Sequence, residues 1–368
     1  MIIYSVIFIV LFVSYIGLGV FVLFYLRSEQ TFTSLTPSVS VIVACKNEAP
    51  HLPATLDSLM QLDYPRDKLQ IILINDDSRD NTKKIISSFT EKHDHVKAIH
   101  LAPQDKVKPG KAGALQAGIA QSQGEFLFIT DADCIVPSQW IKSLLPMFSN
   151  DVGITGGFTL LDNYSLSRFG QIQSCDWLYL SSVAMATAKA GKPTSWFGNN
   201  IAIRRQTYLD VGGYEALDAS LVEDFSLIKA VDQQTSWRIR FTASEESTVS
   251  SHPAEPLGHY YNQRKRWARG ITQVRMLGLW IMMTAFLIHL FIVLSFIWLN
   301  PLIPFAALFV LSAMDFLILR KAAHITGRRD LLRAFPLFEI YYIIYSILLP
   351  FFVAVDRKIT WKDDNYFG

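Results

Sequence analysis

Two carboxylates one residue apart, Asp131 and Asp133, end the run Phe126–Cys134, which reads Phe-Leu-Phe-Ile-Thr-Asp-Ala-Asp-Cys. Acidic side chains crowded in this way repel each other unless a cation sits between them. Hard divalent ions such as Mg²⁺ take carboxylate oxygens and share the rest of their shell with substrate phosphates. The pair therefore predicts a metal–diphosphate site; its competing reading is a solvated turn after a strand. A second acidic cluster, Asp76-Asp77-Ser78-Arg79-Asp80, follows another apolar run, and a helix N-cap alone would account for Ser78 or Asp80. Lys106-Val107-Lys108-Pro109-Gly110-Lys111-Ala112-Gly113 is a basic loop opening a helix, able to cradle phosphate with backbone amides and a lysine. A Walker A loop would need Gly and then Ser or Thr where the chain has Asp105 and Ala112, which argues against a P-loop NTPase. Glu223-Asp224 begins a helical stretch, where acidic residues also suit the macrodipole. Gln263-Arg264-Lys265-Arg266-Trp267-Ala268-Arg269-Gly270 stands just before an apolar stretch, in the manner of a juxtamembrane patch facing anionic headgroups.

These groups need elements to hold them. Val39–Ala44, Gln70–Asn75, Val96–Leu101 and Glu125–Thr130 are short apolar runs that predict strands, with helices near 53–62, 83–93 and 113–122 between them. Strands alternating with helices at this spacing predict an α/β fold with a mainly parallel sheet and βαβ crossovers. Both acidic clusters then lie beyond the C-terminal ends of strands, where open α/β sheets bind ligands.

A chain of 368 residues allows roughly two domains. Its net charge of +2 implies no global field for polyanions, so no nucleic-acid partner is expected. The hydrophobic fraction of 51% is concentrated at the two ends. Ile2–Leu26 carries no charge and is long enough to cross a bilayer; a cleaved signal peptide would need a basic start and a shorter run. Met276–Leu299 and Leu302–Leu319 predict a membrane hairpin turned at Asn300-Pro301. Phe335–Val355, interrupted by Glu339 and Pro350, reads as a span or as a re-entrant or interfacial segment. Arg320, Lys321, Arg328, Arg329 and Arg333 put the intervening loop in the cytoplasm by the positive-inside rule, with Arg27 on the same side. The expected division is an anchor over 1–27, a catalytic domain over 38–270 and a transmembrane region over 276–355, in a multi-pass cell-membrane protein whose α/β domain is cytoplasmic. Cys45, Cys134 and Cys175 have no metal-site spacing and read as apolar packing residues.

Lys46-Asn47-Glu48, Asp76-Asp77-Ser78, Gly110-Lys111-Ala112-Gly113-Ala114-Leu115, Asp131-Ala132-Asp133, Gly198-Asn199-Asn200, Glu223-Asp224 and Gln263-x-x-Arg266-Trp267 occur in this order. The ordered set resembles the membrane-embedded branch of the inverting family 2 glycosyltransferases. That branch includes hyaluronan, chitin, cellulose and poly-N-acetylglucosamine synthases and ceramide-type glucosyltransferases. The likeness covers most of Val39–Gly270 and the flanking helices. Val222 stands where many relatives have Thr, and Gln116 where many have Asn; neither change removes a charge. The resemblance implies a GT-A-like nucleotide-sugar-binding domain flanked by transmembrane helices, and a metal-dependent hexosyl- or N-acetylhexosaminyltransferase. It implies that Asp76 and Asp77 bind the base and ribose, with uridine the expected base, and that Lys111 lies near the diphosphate. Asp131 and Asp133 would hold Mg²⁺ or Mn²⁺. Arg266 would add charge at the leaving group, and Asp224 would be the base. Asn199, Asn200, Glu223, Gln263 and Trp267 would belong to acceptor binding or gating, with Glu223 also the rival base.

The expected activity is transfer of a sugar from a nucleotide sugar to a lipid or glycan hydroxyl with inversion. A processive polysaccharide synthase is the alternative, for which the hairpin and one further segment offer little channel material. A catalytically inactive nucleotide-sugar-binding scaffold is argued against by the intact acidic clusters. A transporter would need broken helices at bilayer depth.

Overall fold

A computed structural model describes residues 2–28, 35–161, 167–194, 198–217, 223–270, 276–355, 358–361 and 364–367. Ser195, Trp196 and Phe197, Val222, and Arg357 and Asp363 of the tail lie outside the described residues. The chain opens on the apolar helix α1 (Ile2–Tyr25). Strands and helices then alternate: β1 (Val39–Cys45), α2 (Leu52–Met60), β2 (Leu69–Asp76), α3 (Thr82–Thr90), β3 (Val96–Leu101), α4 (Gly110–Ala120), β4 (Phe126–Asp131) and α5 (Trp140–Leu144). After β5 (Val152–Gly156) and β6 (Thr159–Leu161) comes the long helix α6 (Arg168–Lys189). It is followed by β7 (Ile201–Arg204), α7 (Arg205–Asp210), α8 (Gly213–Ala216), α9 (Glu223–Gln234), β8 (Arg238–Phe241) and β9 (Val249–Ser251). Four helices follow, α10 (Leu257–Gly270), α11 (Met276–Trp298), α12 (Leu302–Ile325) and α13 (Phe335–Val355), and then the antiparallel pair β10 (Lys358–Trp361) and β11 (Asp364–Phe367).

Two compact units emerge. The α/β unit comprises Ser28–Asn163 and Trp196–His252. Its seven-stranded sheet has the order β3-β2-β1-β4-β7-β5-β8. β1 pairs in parallel with β2 and β4, and β2 with β3, while β7 runs antiparallel to β4 and β5. β6 and β9 form a small parallel pair of their own. β1 and β4 are buried almost throughout, as apolar strands covered on both faces must be. Edge strand β3 alternates buried Val96 with exposed Lys97. The chain winds outward through β1, β2 and β3 and returns to place β4 beside β1. That reversal creates a switch point at the C-terminal ends of β1 and β4, with Ala44 in register with Asp131. Cys45 is likewise in register with Asn75, so the ends of β1, β2 and β4 share one edge.

The helical unit comprises Met1–Arg27, Tyr164–Ser195 and Pro253–Gly368. Four of its helices are long and apolar enough to cross a membrane: Ile2–Tyr25, Met276–Trp298, Leu302–Ile325 and Arg329–Phe351. Large exposed apolar side chains such as Phe309, Leu302 and Ile340 lie on them. At the core of this unit Asp315 is fully buried, and the hydroxyls of Tyr15 (2.8 and 2.9 Å) and Tyr179 (2.8 Å) donate to its carboxylate. Lys321 Nζ donates to the Leu23 carbonyl (2.7 Å) and Lys189 Nζ to that of Arg27 (2.8 Å). The end of α1 and the basic end of α12 therefore lie at one end of this unit.

Three expectations change. The units divide the chain differently from the expected 38–270 and 276–355, because α6 and α10 pack with the apolar helices. Helix α6 hides its polar residues by bonding them; Gln173, for example, exchanges hydrogen bonds with the Ala254 backbone (3.0 and 3.3 Å). Helix α12 runs on to Ile325 rather than ending at Leu319, and Phe335–Val355 is one continuous helix containing Pro350. Helix α4 starts at Gly110, not Gly113, which puts Lys111 in its first turn. Gly113 is needed there because a Cβ would overlap the Lys108 carbonyl.

Candidate active site

The turn after β1 and the turn after β2 are laced together. Asn47 N–H donates to Ser78 Oγ (3.1 Å), Arg79 N–H to Asn47 Oδ1 (2.8 Å), Glu48 N–H to Thr82 Oγ1 (2.8 Å) and Ala49 N–H to Asp80 Oδ2 (3.0 Å). Asn47 and Asp77 both adopt left-handed backbone, at φ 52° and 51°. Asn and Asp tolerate that region better than other side-chain-bearing residues. The sharp turn at Asp77 separates the two acidic neighbours. Asp76 is 2% exposed and pairs with Lys106, whereas Asp77 is exposed at the crevice. Asp77 thus presents its side chain to solvent, and Asp76 holds the basic segment ahead of α4.

Beyond β4, Lys111 Nζ donates to Asp131 Oδ1 at 2.5 Å and lies 3.3 Å from Glu223 Oε1. Burial works against the Lys111 ammonium, but Asp131, Glu223 and Asp224 outweigh it and hold its pKa well above the usual lysine range. Asp224 sits in the first turn of α9. Its Oδ2 accepts from Gly198 N–H (2.6 Å) and its Oδ1 from Phe225 N–H (2.7 Å). A Cβ on Gly198 would stand 2.5 Å from that carboxylate, so only glycine allows the approach. The structure thereby gathers Lys111, Asp131, Glu223 and Asp224, which lie on three separate elements.

Asn199 and Asn200 are directed inward. Asn199 Oδ1 accepts from Thr159 Oγ1 (2.8 Å) and its Nδ2 donates to Cys134 Sγ (3.4 Å). Asn200, fully buried, accepts from Trp140 Nε1 (2.8 Å) and donates to the Phe158 and Ser247 carbonyls (2.7 and 2.8 Å). Their amides brace the Gly198 turn that orients Asp224. All three cysteines are buried free thiols.

Asp133, partly buried, accepts weakly from Cys134 Sγ (3.5 Å). His252 lies within its electrostatic reach. Burial and the neighbouring His51 lower the His252 pKa while Asp133 opposes them, and the two imidazoles are 4.3 Å apart. Neither histidine was marked by the sequence, since no local pattern links 51, 133 and 252.

Among the described residues no three His, Cys, Asp or Glu side chains converge as a metal cage. A full cage is not what a nucleotide-linked Mg²⁺ needs, since that ion is held by one or two carboxylates and the substrate phosphates. Asp131 already accepts a cation, the Lys111 ammonium, and both members of the Asp131/Asp133 pair are partly exposed. The donor set fits such an ion.

Gln263, Arg266 and Trp267 ride on α10 in the helical unit. The Trp267 ring carries the Arg264 guanidinium at 4.7 Å and leans on Trp177 at 5.4 Å, so it is engaged within its own unit.

The family profile described as Glycosyl transferase family group 2 matches residues 126–355, and that described as Glycosyl transferase family 2 matches residues 40–210. The chain belongs to glycosyltransferase family 2. It is 32% identical over 245 residues to the probable glycosyltransferase YdaM of Bacillus subtilis, covering 64% of this chain and 55% of that one. It is 28% identical over 253 residues to the poly-beta-1,6-N-acetyl-D-glucosamine synthase of Staphylococcus epidermidis (66% and 56% covered). The beta-monoglucosyldiacylglycerol synthase of Nostoc sp. is 26% identical over 253 residues (66% and 51% covered). The chain spans about half the length of these curated relatives. In fold, it is similar to the mannosyltransferase PcManGT of Pyrobaculum calidifontis, at a TM-score of 0.59 and 20% identity, with 95% and 97% of the two chains covered. The α/β unit of this glycosyltransferase is thus GT-A-like.

Proposed function

We propose that this glycosyltransferase moves a sugar from a nucleotide sugar, a UDP-sugar in the first instance, to a lipid or glycan hydroxyl with inversion at the anomeric carbon. The observation that carries the reading is the gathering of Lys111, Asp131, Glu223 and Asp224 at the sheet edge where β2 also ends, just before exposed Asp77. In this scheme Asp77 binds the nucleoside, and Lys111 leaves Asp131 for the diphosphate. Asp131 and Asp133 would hold Mg²⁺ or Mn²⁺, an ion that supplies positive charge against the departing diphosphate. Support for a nucleotide sugar and a divalent ion comes from the PcManGT structure, which holds GDP-Man and Mn²⁺. Asp224, aimed by the Gly198 and Phe225 amides, takes the proton of the attacking hydroxyl.

The same reading makes the protein a multi-pass resident of the cell membrane. Arg27, Lys189 and Lys321 meet at one end of the helical unit, and by the positive-inside rule that end is cytoplasmic, where nucleotide sugars are made. The test is to incubate membranes containing the protein with radiolabelled UDP- and GDP-sugars and partition the products between organic solvent and water. Label in a lipid fraction supports transfer to a lipid, and label in a polymer supports the processive synthase. No transfer from any donor would remove the reading.

A further inference from the structure

Gln116 lies on α4, the helix that carries Lys111, and its side chain has a partner far along the chain. The Tyr208 hydroxyl of α7 donates to Gln116 Oε1 (2.5 Å) and accepts from the Tyr214 N–H of α8 (3.0 Å). Tyr208 is 4% exposed, and burial pushes its hydroxyl up to about 12, so it stays a donor throughout the neutral range. The Tyr208 and Tyr214 rings meet edge-on at 5.7 Å. Between them the chain turns at Gly213 in left-handed backbone (φ 62°), where a Cβ would stand 2.7 Å from the Tyr208 ring. The far end of α8 is tied as well, because Lys108 Nζ donates to the Leu217 carbonyl (2.6 Å). Helix α8 packs against both α4 and α9, and so links the helix of Lys111 to the helix of Glu223 and Asp224. Tyr214, itself buried, lies within electrostatic reach of all three of those side chains. Helix α4 is held independently by β1 and β2 in the middle of the sheet, whereas α9 meets the sheet at its edge strand β8. If the tie is cut, α8 and α9 are the elements free to shift. Asn, which many relatives have in place of Gln116, is one methylene shorter and would not reach Tyr208 from the same backbone.

We infer that Tyr208 and Gln116 are positioning residues that hold α8 against α4 and through it set the distance from Lys111 to Glu223 and Asp224. This rests on the glycosyl-transfer reading above, in which Lys111 meets the diphosphate and Asp224 takes the proton. A misplacement of about 1 Å can cost on the order of 10²-fold in rate. Tyr208 and Gln116 therefore work through the two helices and not on the substrate.

The test is a double-mutant cycle on the full-length protein in detergent, with the donor selected by the panel above. Tyr208→Phe and Gln116→Leu should each lower kcat by about 10–100-fold. The double variant should fall no more than about twofold below the slower single one, because either change breaks the same bond. Losses that multiply would make the two residues independent and overturn the inference. Gln116→Glu keeps an acceptor and should restore the turnover that Gln116→Leu loses; an equal loss in both would also overturn it. Calorimetric affinity for UDP or GDP with Mn²⁺ should be unchanged throughout, since Asp77, Lys111, Asp131 and Asp133 stay with the sheet and α4. Affinity that fell in step with kcat would make the pair a general stabiliser. If Tyr208→Phe does not fold, Gln116→Leu and Gln116→Glu carry the comparison with the same expected split. Hydrogen exchange reads the tie without turnover: on loss of the bond it should accelerate over 213–216 and 223–234 but not over 110–120. Unchanged exchange over 223–234 would remove the tie itself. A wild type that transfers no sugar would remove the function reading while leaving the tie tested.

Discussion

Lys111→Met removes the ammonium that Asp131, Glu223 and Asp224 all act on. Lys111 is 15% exposed in its side chain, Glu223 14% and Asp131 33%, so the contact at 2.5 Å lies between a surface pair and a buried one. Exposed pairs contribute up to about 1 kcal/mol, and breaking a fully buried one costs about 3–5 kcal/mol. The expected loss is about 1–3 kcal/mol, or about 2–4 °C in Tm per kcal/mol for a unit of this size. The sign with pH follows from the direction of the shift. A lysine pKa raised on folding contributes stability that is complete below its unfolded value and is lost only as pH rises through the folded one. The deficit should therefore be flat from about pH 6 to 9. The assay is thermal unfolding of wild type and variant in chelator and then in Mn²⁺. Saturation at about 100 times Kd stabilises by about 2.7 kcal/mol, and the variant should gain more than wild type because no ammonium competes at Asp131. A variant that melts like wild type in chelator would refute the charge argument, and one that Mn²⁺ leaves unmoved would refute the metal assignment.

Asp224→Asn should lower turnover by about 10²–10⁴-fold with nucleoside-diphosphate affinity retained. Asn offers one acceptor to the Gly198 and Phe225 amides that Asp224 now satisfies with two oxygens, so a thermal midpoint must accompany the kinetics. Normal turnover in Asp224→Asn with loss in Glu223→Gln would move the base to Glu223. Asp315→Leu leaves the Tyr15 and Tyr179 hydroxyls without their acceptor, at about 1–3 kcal/mol each, and should lower the detergent-solution Tm; an unchanged Tm would count against this polar core. A cysteine placed at exposed Gln104 should resist an impermeant thiol reagent in intact cells, and labelling without lysis would reverse the orientation.

Much of the sheet could be read from sequence because β1, β2 and β4 are covered on both faces, and double burial leaves a nearly continuous apolar run. The acidic ends of β2 and β4 were legible for the same reason: polar side chains there interrupt that run. Which of Asp76 and Asp77 meets solvent was not, since it depends on a left-handed turn at Asp77. Asn199 and Asn200 look like exposed ligand groups in a Gly-Asn-Asn string, yet their partners Thr159, Cys134 and Trp140 come from a strand, a turn and a helix elsewhere in the chain. The membership of α6 in the helical unit was hidden by its composition, because Gln173 and Asp176 are buried by virtue of partners far along the chain, Ala254 and Arg264. Arg264 read as one more basic residue in a charged run until Asp176 and the rings around it supplied a reason for its burial.

The central claim is that the Asp131/Asp133 end of β4 supports sugar transfer from a nucleotide sugar. It is tested most directly by measuring labelled sugar transfer by wild type and Asp133→Asn side by side, with Mn²⁺ and with chelator. The account predicts transfer by wild type with Mn²⁺, none in chelator, and none by an Asp133→Asn protein that remains folded and membrane-inserted. Undiminished transfer by Asp133→Asn, or by wild type in chelator, would contradict it.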